Sequence, residues 1–224
     1  MMTTHSITHP QLVTALVKPA PDIIATLTPY GVDLWHGATG VAGETGELLE
    51  AILFPPATGI DRVNLREEMG DTYFYIEQIV QRAGITIAYD TAAEIADGAD
   101  MRAKLALTYA GQCAVHGSQV LDTVKKQAIY NKPLDVELLT NQLNALVASM
   151  ATLGKMFQLD RAECLSANIH KLSKRYQSLS YSDAAAQARA DKQTGTDAVI
   201  PARKPFKGEP TEDDVKRGML GKDA

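Results

Sequence analysis

Gly43-Glu44-Thr45-Gly46-Glu47-Leu48-Leu49-Glu50, followed one loop later by Arg66-Glu67-Glu68-Met69-Gly70-Asp71, decides how the chain folds. Glu44 and Glu47 are three apart, as are Glu68 and Asp71. That spacing stacks side chains on one face of an α-helix, with Cβ atoms about 5–6 Å apart. The surrounding apolar residues agree: Trp35, Val41, Leu48, Leu49, Ile52 and Leu53 recur every three to four positions, so a helix runs from about residue 34. Two prolines in FPPATGID break it. A second helix over 63–83 is expected to bury Val63, Leu65, Met69, Phe74, Ile76, Ile79 and Val80, with Gly84 closing it. Laid antiparallel, the two helices turn four carboxylates toward one another, and bare like charges there repel.

Outward from this hairpin the periodicity stays helical. Short helices are expected near Pro10 and Pro21, long ones over 99–129 and 136–157, another from an Asp160 cap to Tyr176, and a last one capped by Ser182 or Asp183 and reaching about Asp191. A short segment, 90–96, precedes the helix from 99. No period-2 alternation stands out, so the class is all-α, a helical bundle. After Lys192 the sequence turns to Gly, Pro, Thr and charge and reads as an extended or mobile tail. The divisions are a helical extension (1–29), two helical halves (30–98 and 99–192) and the tail (193–224).

The two halves resemble each other. CAVHGSQVLDTVKK aligns with VAGETGELLEAILF and TNQLNALVASM with REEMGDTYFYI. The apolar positions match, but His116, Gln119, Gln142 and Ala145 stand where the first half has Glu44, Glu47, Glu68 and Asp71. One half keeps the charges; the other keeps only the packing, with His116 structural.

Composition narrows the function. In 224 residues a formal net charge of -5 argues against a general nucleic-acid binder. No apolar run approaches a membrane span and the start lacks signal-peptide order, so a cytoplasmic setting is expected. Cys113 and Cys164 have no metal or redox spacing and read as reduced, buried residues. Hard carboxylate oxygens with no His or Cys in the quartet favour Mg²⁺, or Mn²⁺, over Zn²⁺. Every third residue from Gly37 through Gly40 and Gly43 to Gly46 lacks a side chain, which calls for a close neighbour or room for a ligand.

These residues resemble a known family. LWHGATGVAGETGELLEAI and NLREEMGDTYFY are similar to the all-α nucleoside triphosphate pyrophosphohydrolases, the MazG-like superfamily that includes dimeric dUTPases. Its signature is an E-x-x-E pair and then an E-x-x-D pair, which Glu44, Glu47, Glu68 and Asp71 satisfy. KKQAIYNKPLDVELLTNQL and NIHKLSKRYQSLSYSDAAAQARAD extend the resemblance through roughly residues 30–192. The resemblance implies two MazG-like halves, one degenerate, forming an internal pseudo-dimer that either stands alone or pairs again as a homodimer. It implies Mg²⁺-dependent cleavage of an NTP or dNTP to the monophosphate and pyrophosphate, a role in nucleotide-pool control in a phage or bacterium, and no nucleic-acid or membrane partner.

For individual residues, Glu44, Glu47, Glu68 and Asp71 are the expected metal ligands. Glu50, continuing the Glu44/Glu47 row, is the first candidate to activate water, with Glu47 also catalytic and Glu67 the second candidate base. Tyr75, Asn168, Lys171, Lys174 and Arg175 are candidates for phosphate contacts, and Trp35 and His36 for the nucleobase, a packed core role being the stronger reading of Trp35. Two alternatives stand beside this reading: a phosphoribosyl-ATP pyrophosphohydrolase, and a non-catalytic helical interaction scaffold. The basic helix after the second half either serves the acidic site or is a relic.

Overall fold

The computed structural model describes residues 7–89, 91–94 and 99–192. The expected tail, 193–224, lies outside the described residues, as do Asp90 and residues 95–96 of the short segment and the adjoining 97–98. Two short helices, α1 (His9–Leu16) and α2 (Ala20–Thr26), lead into α3 (Pro29–Leu53), α4 (Arg62–Ala83), α5 (Ala99–Tyr130), α6 (Val136–Met156), α7 (Arg161–Arg175) and α8 (Asp183–Ala188), with a 3₁₀ turn at Ala190–Lys192. The all-α expectation holds, with no strand among the described residues. None of the described helices is long and apolar enough to cross a membrane.

Local chemistry sets the boundaries. The carboxylates of Asp61, Asp135 and Asp160 accept backbone N–H bonds at the starts of α4, α6 and α7, satisfying donors that a first helical turn leaves free. Gly84 ends α4 in the left-handed region at φ 65°. Helix α3 begins earlier than its apolar period suggests, because Thr28 accepts from the Gly31 N–H at 3.0 Å and Pro29 suits a first turn. Helix α8 is shorter than expected, because Arg189 turns left-handed at φ 44° and the chain bends into the 3₁₀ turn.

Helices α3 and α4 form one hairpin, α5 and α6 another, and the hairpins meet chiefly along α3 and α5. The core repeats itself. Leu34, Ala38, Val41, Leu48 and Ile52 of α3 are buried, and so are Ala106, Ala110, Cys113, Val120 and Val124 of α5, each 72 positions on. Likewise Leu65, Met69, Tyr73, Ile76 and Ile79 of α4 match buried Leu139, Leu143, Val147, Met150 and Leu153 of α6, each 74 on. The caps Asp61 and Asp135 share that shift, as do the left-handed residues Gly84 and Gln158. Val63 and Phe74, expected in the core, are instead 55% and 47% exposed. Val63 lies in the first turn of α4, and Phe74 faces the cleft beside α7.

The segment after each hairpin crosses to the other. After α4 the chain runs along α6, where the Ala88 N–H donates to Asn144 Oδ1 (2.8 Å) and the Ala93 N–H to Thr152 Oγ1 (2.9 Å). After α6 it returns as α7, which packs on α4. This exchange places α7 over the acidic hairpin.

Candidate functional site

The acidic residues lie where α3 and α4 face α7. Carboxylate oxygens of Glu44, Glu68 and Asp71 come within 4.8 Å of one another, all three half-buried. Glu47 sits one turn along α3, more exposed, close enough to act electrostatically on Glu44 and Glu68. Burial raises the Glu44 carboxyl to about 7, with the charges of Asp71 and Glu47 adding to the effect. The Glu68 carboxyl is raised to about 8 by burial and then by Glu47, Glu44 and Asp71. The neighbouring Glu68 side chain and Lys171 act the other way on Glu44 and offset part of that rise. Crowding and burial therefore favour the protonated, uncharged forms of Glu44 and Glu68.

Helix α7 supplies the opposing charge. Asn168 Nδ2 donates to Asp71 Oδ1 at 2.5 Å and Lys171 Nζ bonds Asp71 Oδ2. This approach needs Gly70: a Cβ there would sit 2.8 Å from the Cys164 carbonyl oxygen and 3.0 Å from Asn168 Cβ. Helix α7 thus brings Asn168 and Lys171 of the basic segment directly onto Asp71 of the acidic hairpin. Two glycines of the α3 row have the close neighbour expected of them. A Cβ on Gly40 would overlap the Tyr75 ring and one on Gly37 would press on Ile79, whereas Gly43 and Gly46 face open space.

Around the carboxylates opens a cleft of about 1090 Å³. Glu44, Glu47, Glu67, Glu68 and Asp71 form one wall; Asn168, Lys171, Arg175 and Arg189 lie opposite; His36, Phe74, Tyr75, Tyr176 and Tyr181 supply rings. Tyr75 meets Phe74 edge-on at 5.3 Å and His36 at 5.7 Å, and Tyr176 lies 5.8 Å from Tyr181. His36 Nδ1 is 3.3 Å from Gln78 Nε2, and the Gln78 amide also donates to the Asp33 carbonyl.

Not every residue singled out in the sequence reaches this cleft. Trp35 is half-buried against the core. Lys174 is exposed, and neither it nor Trp35 lines the cleft. Glu50 is exposed and outside the cleft lining, while Glu67 is within it. Each three-residue step on a helix rotates the side chain by about 60°, so a row that starts at Glu44 has turned away by Glu50. Arg175 lines the cleft but its guanidinium grips Asp191 with two bonds, 2.7 and 2.8 Å. Phe74, Gln78, Tyr176, Tyr181 and Arg189 line the cleft without having been singled out in the sequence. The last three follow α7 in the chain, where no periodic or motif signal marks them.

No model of a known protein family, no curated protein and no solved structure matches the chain.

The matching face of the second hairpin is chemically different. His116 Nδ1 lies 3.1 Å from Gln119 Oε1, and Thr123 Oγ1 donates to Gln142 Oε1 at 2.9 Å. No carboxylate takes part in these two contacts, in contrast to the first hairpin.

Proposed function

We propose that the cleft hydrolyses a nucleoside or deoxynucleoside triphosphate to the monophosphate and pyrophosphate with the help of Mg²⁺ or Mn²⁺. The observation that carries this reading is the convergence of Glu44, Glu68 and Asp71 oxygens within 4.8 Å on the wall of a cleft also lined by cationic and aromatic side chains. An all-oxygen donor set suits Mg²⁺, which binds carboxylates and substrate phosphates together. Glu44, Glu68 and Asp71 would hold the cation, with Glu47 beside them. When bound, it supplies Lewis-acid polarisation of a phosphoryl oxygen. Glu67 takes the part of general base that the sequence offered first to Glu50, because Glu67 lines the cleft. Arg189 and Lys171 suit phosphate oxygens. Phe74, Tyr75, Tyr176 and Tyr181 offer ring faces and edges for a nucleobase. The sequence resemblance to MazG-like pyrophosphohydrolases supports the same reaction.

We also propose that the chain is a tandem duplication folded as an internal pseudo-dimer, one half keeping the acids. The matched buried positions, caps and left-handed residues support it. The test of function is incubation with each NTP and dNTP, and with phosphoribosyl-ATP, in Mg²⁺ or Mn²⁺, with the products resolved. Monophosphate plus pyrophosphate from one substrate or a few is expected. Turnover of phosphoribosyl-ATP alone would favour that narrower enzyme. No product from any of them would leave a non-catalytic scaffold.

A further inference from the structure

Asp71 already has a cation. Lys171 Nζ bonds Asp71 Oδ2 while Asn168 holds Oδ1, and only 16% of the Lys171 side chain and 23% of that of Asp71 are exposed. The ammonium stands beside the same carboxylates that converge within 4.8 Å. A divalent ion placed among those oxygens would lie next to this ammonium, and the repulsion between them carries twice the charge product of two unit charges. Water can screen little of it at so enclosed a position. The bonds to Asp71 are unequal in this respect. Asn168 is neutral and can remain, orienting the carboxylate as outer-shell partners of metal ligands do. Lys171 is charged and sits on a flexible four-carbon stem, with the cleft beside it lined by Ser173, Ser180 and Arg189.

We infer that Lys171 is the resident counter-cation of Asp71, that a divalent ion displaces it, and that the displaced ammonium turns into the cleft as a positioning residue for substrate phosphate. The inference rests on the metal-dependent reading above. It orders events: the phosphate-binding cation becomes available only after the metal has bound, so metal-free protein is doubly unready for substrate. No bond is made or broken beyond the exchange of one electrostatic partner for another.

Trace acylation of the full-length protein with an acetylating reagent at fixed pH, read by peptide mass spectrometry, tests it. The exposed Lys174 on the same helix serves as internal reference. Without metal, Lys171 should react well below Lys174. Saturating Mn²⁺, its occupancy followed by paramagnetic resonance, should raise the Lys171:Lys174 ratio at least fivefold. Lys171→Met should bind Mn²⁺ at least tenfold more tightly, with helical content unchanged. Occupied metal with an unchanged or lowered ratio overturns the displacement and leaves the hydrolase reading standing. Equal or weaker Mn²⁺ binding by Lys171→Met also overturns it. No Mn²⁺ binding at all overturns both.

Discussion

Thr45 lies directly against Gly117, and these two residues occupy equivalent positions of the two hairpins. A Cβ built on Gly117 would overlap the Thr45 side chain, which is fully buried and hydrogen-bonded to the Val41 carbonyl at 2.8 Å. Equivalent residues touch each other only near an axis that relates two copies, as in an isologous dimer interface. This contact between α3 and α5 supports the proposed internal pseudo-dimer.

Crowding at this contact predicts a measurable coupling. Gly117→Ala should destabilise the fold by about 1–3 kcal/mol through overpacking, lowering the melting temperature by about 2–4 °C per kcal/mol. Adding Thr45→Ala should recover part of that loss, because the two residues share one space. Gly111→Ala on the same helix, where a Cβ meets nothing within 4 Å, should be neutral or stabilising by up to about 1 kcal/mol. Thermal unfolding of the three variants beside the wild type checks this.

The two hairpins should differ sharply in catalysis. Glu47→Gln is expected to abolish product formation, whereas Gln119→Ala at the matching place in the other half should leave turnover at the wild-type level. Steady-state rates of purified, folded variants decide it, and equal losses in both would contradict a silent second half.

Metal-free stability should fall as pH rises from about 5 to 8. The Glu44 carboxyl is raised to about 7 and that of Glu68 to about 8 in the folded protein, against an ordinary value of 4.5. In that window the folded state holds protons that the unfolded chain has lost, so each increment of pH favours unfolding. Mg²⁺ competes with those protons. It should therefore raise the melting temperature more at pH 8 than at pH 6 and release protons on binding. Parallel thermal scans and titration in weak buffer measure both effects.

Asn168→Ala should act opposite to Lys171→Met. Loss of the neutral partner frees Asp71 to turn, and removing an outer-shell partner typically weakens metal binding about ten- to a hundredfold. Calorimetric Mn²⁺ titration shows the sign of each change.

The helices were largely legible because their buried faces repeat every three to four residues and their caps are Asp61, Asp135 and Asp160. The carboxylate cluster was legible because helical spacing alone brings Glu68 and Asp71 to one side of α4. What lay hidden depended on contacts distant in sequence. Phe74 belongs to an apolar pattern, and only α7 crossing over α4 makes it a cleft wall. Glu50 continues a row that the helical twist carries away from Glu44. Arg175 reads as a free phosphate ligand until the chain reversal after Arg189 brings Asp191 onto it. Tyr176, Tyr181 and Arg189 join the cleft through that same reversal.

The proposed hydrolysis rests on attack of water on the α-phosphorus at the Glu44, Glu68 and Asp71 cluster. Turnover of the preferred triphosphate in ¹⁸O-labelled water, with mass analysis of both products, tests it most directly. One ¹⁸O atom is expected in the nucleoside monophosphate, none in pyrophosphate, and no turnover by Asp71→Asn. Label in pyrophosphate or in released orthophosphate would contradict it.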